Sequence, residues 1–336
     1  MRRLFIYIGR RMIFVAPQLF GIILVGFFLL KLIPGDPAVL MAGPFATDKV
    51  LTQMHADLGL DKSLFRQFYI YIGNVVHGDL GKSWQTTMPV TSDLAQRFPA
   101  TLELVTLSLM LALGIGIPLG VAGARHKKGL LRGIADFYGL FVGALPDFWL
   151  ALVMIFLFYT GLGLVPAPLG RLDYSIMPPT TVTGFLLIDS LISGNIAAFW
   201  NAAGHLVLPV LTLGLINAGP ILKMTQSTME RMLESDFARY AEICGLPSKV
   251  IARKAFRNAL PSIVTIVSVL YGFLIGGAVL VEIVFSWGGA GQYAVSGVLN
   301  ADINPVLGFV LVSAVFSLVI YLIVDLIYFA IDPRTQ

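Results

Sequence analysis

Few residues in this 336-residue chain have the types and spacing that chemistry requires. The stretch GDLGKSW (78–84) carries Gly81, Lys82 and Ser83, the tail of a loop whose amides and lysine hold nucleotide phosphates. The complete loop, G-x4-G-K-[ST], needs glycine at position 76, where the chain has Val76. His55, His77, His126 and His205 stand far apart and no pair has ligand spacing, so no metal site is expected. The single cysteine, Cys244, excludes an intrachain disulfide. No nucleophile elbow, H-E-x-x-H motif or dinucleotide fingerprint occurs. The chain is expected to catalyse no reaction and to bind no cofactor of its own.

Two other groups of residues stand out. Glu103, Asp147, Glu282 and Asp325 lie within or at the ends of long apolar stretches. Ionisable groups there are costly and usually face a cavity or a partner. Glu103 and Glu282 are candidates to meet a positively charged solute, and Asp147, Trp149, Tyr271 and Phe273 are candidates to line its passage. For each of them helix packing or anchoring at the membrane interface is the alternative. The second group is a charged block. Residues 223–261 hold seven basic and four acidic side chains, more than twice the density of a chain whose charged fraction is 12%.

The block reads as two short helices. Ser235 is placed to cap the first, with Asp236 against the positive end of its dipole. Phe237, Tyr240, Ala241 and Cys244 follow at spacings of three and four, while Arg239 and Glu242 point elsewhere. Gly245 suits the left-handed residue that ends a helix, and Pro247 the first turn of the next. In the second helix Lys249, Arg253 and Arg257 form a basic stripe and Ile251, Ala255 and Ala259 an apolar one, with Pro261 at the entry to an apolar stretch. Spacing alone leaves two readings open: an elbow that docks on a protein, or a hairpin resting on anionic headgroups.

The elements that carry these residues are membrane spans. Apolar residues make up 57% of the chain and its mean hydropathy is +0.84, too oily for one soluble core of this size. The net charge of +4 is small and gives no reason to expect nucleic acid. About 20 apolar residues cross a bilayer. Six stretches fit: 12–33, 102–124, 137–160, 206–222, 262–286 and 306–331. The first follows arginines like a signal peptide but is too long and lacks a cleavage site, so it is an uncleaved span. The fourth is short and interrupted by Pro209, Gly214, Gly219 and Pro220, which predicts a bent helix held by neighbours. Placing both termini in the cytoplasm puts most lysines and arginines inside, as orientation rules require. The chain then divides into 1–33 (N-terminus and first span), an external segment 34–101, and a core 102–336 with the cytoplasmic loop 223–261. Within the external segment PGDP (34–37) predicts a turn, and 64–76 an amphipathic helix with apolar residues at 64, 65, 68, 69, 72 and 76. The stretch 182–200 is expected on the outer surface or dipping partly in.

The block resembles the E-A-A-x3-G-x9-I-x-L-P loop of ATP-binding-cassette importer permeases, with Gly245 on the glycine, Ala241 on the second alanine and Pro261 on the proline. Arg239 and Tyr240 depart from that motif. The longer spacing in GLPSKVIARKAFRNALP is similar to the branch that serves dipeptides, oligopeptides and nickel. LIPGDPAVLMAG, LGLDKSLFRQFYIYI, HGDLGKSW, PDFWLAL, HLVLPVLTLG and FSWGGAGQY agree with the same branch. The resemblance implies an all-α membrane protein with six spans and the type I importer permease fold. It implies as partners a second, homologous permease, two ATPase subunits that carry the ATP and magnesium, and an extracytoplasmic substrate-binding protein. The implied substrate is a di- or oligopeptide, with nickel or another small solute as the alternative; a self-contained secondary transporter or channel is the alternative of another class. The residues implied to couple the chain to an ATPase are Asp236, Phe237, Arg239, Tyr240, Ala241, Glu242 and Gly245. Phe237, Tyr240 and Ala241 are expected in that contact and Arg239 and Glu242 at its rim.

Overall fold

The computed structural model describes residues 15, 17–28, 38–39, 46–57, 59–126 and 128–331, the side chains of 57, 325 and 327–331 excepted. Arg2, Arg3, Arg10, Arg11, the PGDP turn, the Asp325 side chain and Arg334 lie outside the described residues. In chain order the helices are α1 (Pro17–Phe28), α2 (Asp48–Asp57), α3 (Leu64–Val76), α4 (Val90–Arg125) and α5 (Leu130–Phe141). Then come α6 (Asp147–Met154), α7 (Leu186–Ile192), α8 (Ile196–Leu233), α9 (Asp236–Ile243), α10 (Ser248–Gly277), α11 (Val279–Val284), α12 (Ala290–Leu299) and α13 (Ile303–Ile331). Among the described residues there is no sheet, only an isolated antiparallel bridge between Lys82 and Pro89.

Among the described residues four helices are long and apolar enough to cross a membrane: α4, α8, α10 and the Ile303–Val324 part of α13. The predicted third span is not one rod. Its two halves, Leu130–Ala144 and Asp147–Gly161, meet at 99°, and count as a fifth span if the bent pair is one. The break follows from Pro146, whose ring drives the preceding Leu145 into extended backbone (φ −72°, ψ 141°). The predicted fifth span likewise ends at Gly277 and resumes as the short α11. Helix α1 is a shorter apolar helix inside the predicted first span, the rest of which, Val15 apart, lies outside the described residues.

The predicted fourth span differs most. It is neither short nor broken: α8 runs 38 residues through Pro209 and Pro220, about 57 Å at 1.5 Å per residue. It takes in the end of the 182–200 stretch, whose remainder forms α7, and the first part of the charged block. Side chains supply hydrogen bonds near both prolines: Thr212 donates to the Leu208 carbonyl (2.8 Å), Asn217 to that of Leu213 (2.8 Å), and the Tyr138 hydroxyl to that of Leu215 (2.7 Å). They lie close to the His205 and Ile216 carbonyls, which the two prolines leave without their usual amide donor. Neighbours do hold it, as expected: 72% of its most apolar window is buried.

The chain forms two compact units. In the first, the described residues up to Ala100 join Gly288–Leu318. Phe27, Phe68 and Leu307 make its small core, with Tyr71 and Ile72 against them. Helix α3 thus forms over the predicted residues but turns Phe68 inward and leaves Phe65 and Tyr69 about 80% exposed, so its apolar residues are split between two sides. In the second unit, Thr101–Trp287 with Val319 onward, α8 is the centre. Glycines let backbones approach it. A Cβ added at Gly116 would lie 2.8 Å from the Ala218 carbonyl oxygen, and one at Gly120 2.7 Å from that of Leu222. One added at Gly219 would lie 2.9 Å from the Gly143 Cα. Small residues at such crossings are how apolar helices gain contact where no water drives them together.

Adding a side chain at these crossings should destabilise the second unit by about 1–3 kcal/mol. Gly120→Leu is expected to lower the unfolding midpoint of the detergent-solubilised protein. Gly114→Leu, on the same helix but with nothing within 4 Å of its added Cβ, should leave it unchanged.

Candidate functional site

The charged block is an elbow rather than a loop. Lys223–Leu233 complete α8, α9 stands alone, and α10 runs unbroken from Ser248 through Pro261 into the apolar stretch. Ser235 occupies the position before α9 but does not cap it; its hydroxyl donates to the Met232 carbonyl (2.6 Å), closing the end of α8 instead. Gly245 has the predicted left-handed backbone, φ +75°. Two amides complete the stop: Leu246 donates to the Ala241 carbonyl (3.1 Å) and Gly245 to that of Glu242 (2.9 Å). Pro247 precedes α10, one residue earlier than expected.

The faces of α9 are not those read from the sequence. Ala238 and Ala241 are buried with Ile251, and the partly buried Leu233 and Phe237 pack against them, so Ala241 and much of Phe237 serve the chain's own core. The arc at 237, 238 and 241 turns inward because α10 offers Ile251 there. Tyr240 (70% exposed) and Ile243 (78% exposed) face outward with Asp236, Arg239 and Glu242, and Cys244 is exposed at the helix end. Positions 236, 239, 240 and 243 share one side of a helix at spacings of three and four. That spacing is the signal that would have found Ile243, an apolar residue among charges. On α10 the predicted stripes both form: Ile251, Ala255 and Ala259 are buried, and Lys249, Arg253 and Arg257 are exposed.

The end of α8 is gripped from the side. The Arg132 guanidinium, on α5, binds Asp136 on its own helix (2.8 Å), the Glu230 carboxylate on the last turns of α8, and the Gly123 carbonyl of α4 (3.4 Å). Gln226 of α8 donates to the second oxygen of Asp136 (3.0 Å).

The acidic candidates occupy the opposite part of the second unit. Glu103 is 3% exposed and accepts from Arg171 (2.5 Å) and from the first amides of α7, Leu186 (3.2 Å) and Leu187 (2.9 Å). A helix start favours such a carboxylate. The Arg171 guanidinium also lies 5.8 Å from the Trp287 ring centre. Glu282 is fully buried and accepts from the Thr101 hydroxyl (2.6 Å). Tyr271 shares a hydrogen bond with Thr106 (2.6 Å). The two glutamates have different partners, Arg171 and the start of α7 for Glu103 and Thr101 for Glu282. Asp147, Trp149 and Phe273 belong to other helices; Asp147 is half-buried, while Trp149 and Phe273 are exposed. The segment between α6 and α7 is tied down separately. Asp173 accepts from Asn201 (2.5 Å) and His205 (3.2 Å), and the Asn201 amide, then His205, hold its carboxyl below the usual carboxylate range.

The phosphate-loop tail has an anion, and it is the chain's own. In the first unit Asp302 accepts from the Ser83 hydroxyl (2.6 Å) and the amides of Trp84 (3.0 Å) and Gln85 (3.3 Å). Gly81, at φ +79°, bends the loop into this concave set of donors.

Comparison with known proteins shows the family of the chain. Residues 116–336 match the family described as binding-protein-dependent transport system inner membrane component, and residues 4–105 the N-terminal model of the same membrane component. The chain is 42% identical over 315 residues to the probable D,D-dipeptide transport system permease protein of Escherichia coli K12, covering 94% of this chain and 92% of that one. It is 38% identical to the di/tripeptide transport system permease protein of Pseudomonas aeruginosa and 36% identical to the dipeptide transport system permease protein of Escherichia coli K12, with 98% of each chain covered in both cases.

The elbow's stops make unequal demands. Gly245→Ala, which forces a side chain onto left-handed backbone, should cost about 1 kcal/mol and speed amide exchange across 236–246 about fivefold. Ser235→Ala should change that exchange little, because its hydroxyl caps no amide of α9.

Proposed function

The chain belongs to the family of inner membrane components of binding-protein-dependent transport systems, and we propose that it is the permease subunit through which an ATP-driven importer passes di- or oligopeptides. It is a multi-pass bacterial inner membrane protein and a permease component rather than the ATPase of its system. The peptide substrate rests on three relatives that match nearly the whole chain and are named as permeases for dipeptides, di- and tripeptides and, for the probable one, D,D-dipeptides.

In this reading six spans place both termini and the elbow in the cytoplasm, with residues 34–101 outside. A second, similar permease completes the passage, and a binding protein delivers the peptide to its outer mouth. Two ATPase subunits hold the ATP and magnesium; this chain binds no cofactor. One observation carries the coupling: α9 projects from the chain with Tyr240 and Ile243 outward and its backbone braced by Ala238, Ala241 and Ile251. Large apolar side chains that are left uncovered on a charged helix fit a protein groove, with Arg239 and Glu242 at the rim. Closure of the ATPases on ATP then carries the docked elbow, and α8 and α10 with it, toward the outward-open state. Glu103 and Glu282 brace the outer part of α4 in this scheme, and Asp147, Trp149 and Tyr271 are candidates to border the passage.

Ile243→Asp or Tyr240→Asp should weaken co-purification of the ATPase at least tenfold, as loss of a central apolar anchor does, while membrane insertion is unchanged. Undiminished co-purification would favour the headgroup-resting hairpin. In proteoliposomes, peptide uptake should require the ATPases, ATP and the binding protein; uptake by this chain alone would contradict the importer. Loading the binding protein with a panel of peptides and Ni2+ tests the substrate, and retention of Ni2+ alone would contradict the peptide assignment.

A further inference from the structure

The elbow hangs from the last turn of α8, and that turn is not held by packing alone. Arg132 reaches it across a helix boundary. Its single guanidinium touches α4 at the Gly123 carbonyl, α5 at Asp136 and α8 at Glu230. Glu230 in turn gives its own carbonyl to the amide of Glu234, the residue that ends α8 (3.0 Å). Around the guanidinium the three helices are in close contact. A Cβ on Gly123 would lie 3.0 Å from Ala135 and 3.2 Å from Gln226, and one on Gly139 would lie 3.2 Å from the Lys223 stem. Helix α5 therefore follows the end of α8 along most of its length. Its far end is the 99° break at Leu145 and Pro146.

From this arrangement we infer that Arg132 is a positioning residue: it passes displacement of the elbow to α5, so that the broken third span swings about its Pro146 hinge when the elbow moves. The inference rests on the reading of the elbow as the ATPase contact. The chemistry suits the task. An arginine fork with two carboxylates and a carbonyl is directional, so it resists rotation as well as separation. A lysine would keep the charge and lose the fork. The pair is about one-third exposed on each side, so its net contribution to stability is small and its role is one of geometry. Without this link α5 would keep the hydrogen bonds from Gln226 to Asp136 and from Tyr138 to the Leu215 carbonyl, and contacts through small residues, but would lose its hold on the last turn of α8.

The test uses the complete transporter, with its partner permease, ATPases and binding protein, carrying Arg132→Glu, Glu230→Arg, the double exchange, or Arg132→Lys. Two quantities are read: how much ATPase co-purifies, and how far substrate-loaded binding protein stimulates ATP hydrolysis. Arg132→Glu should leave co-purification at the wild-type level and cut stimulation about three- to tenfold, the size of effect that residues along a coupling route produce. The double exchange should recover most of the stimulation, and Arg132→Lys should fall between. Full stimulation in Arg132→Glu, or a loss that the double exchange does not repair, would overturn the inference while leaving the elbow's role intact. If the ATPase fails to co-purify even with the wild-type chain, it is the docking reading that fails. Should Arg132→Glu not assemble, Arg132→Lys carries the same comparison, and unaltered stimulation there together with an unrepaired double exchange would overturn it.

Discussion

Backbone contact around α8 is the constraint on which the second unit depends. Gly116 and Gly120 of α4 leave no room for a Cβ against α8, and Gly219 of α8 leaves none against Gly143, next to α5. In an apolar surround, where water gives helices no reason to associate, that closeness supplies the attraction. It also makes α8 a poor candidate for independent motion. A helix that touches its neighbours backbone to backbone must take them along or lose those contacts. Its length matters for the same reason: about 57 Å of continuous helix joins the buried middle of the unit to the elbow without an intervening loop. The two prolines do not break it, and Thr212, Asn217 and Tyr138 add bonds to the Leu208, Leu213 and Leu215 carbonyls of the same stretch.

The elbow adds a second constraint, that of a rigid end. Its Schellman-type stop at Gly245 and its inward face on Ile251 give a short helix a fixed attitude. Eight residues in water would not hold a helix; packing on α8 and α10 does. What is left outward is small and mixed, one aromatic and one aliphatic residue among charges. Such a surface is suited to a groove in a protein more than to a bilayer, into which the basic stripe of α10 would otherwise lead it. Carboxylates elsewhere are spent inside the chain. Glu103 holds Arg171 and the start of α7, and Asp302 fills the loop that resembled a phosphate cradle. The Lys82-Ser83 dipeptide drew attention because donor-rich turns look alike from sequence, whatever anion they hold.

Helical class, membrane character and the positions of the charged elbow were legible because apolar run length and the Ser235, Gly245 and Pro247 punctuation are local signals. Continuity was not. Pro146 broke a span and Pro209 did not, and the sequence around each looks equally permissive. The difference lies in packing against neighbouring helices, glycine contacts above all, that no window of the chain contains. The facing of α9 was misread for a related reason. Phe237 and Ala241 are as apolar as a docking residue should be, and it is Ile251, ten residues beyond Ala241, with the cluster of Met229, Ala255 and Ala259 under Phe237, that turns them inward. Arg132 was counted only toward orientation, since its partner Glu230 is 98 positions away.

The central claim is that the outward face of α9 meets a protein. The chain's only cysteine, Cys244, is exposed at the end of that helix. A short photoactivatable cross-linker attached there, in membranes holding the whole transporter, should join this chain to an ATPase subunit, with a yield that changes when ATP is added. Cross-links confined to lipid, with the same yield whether or not the ATPases are present, would contradict the account.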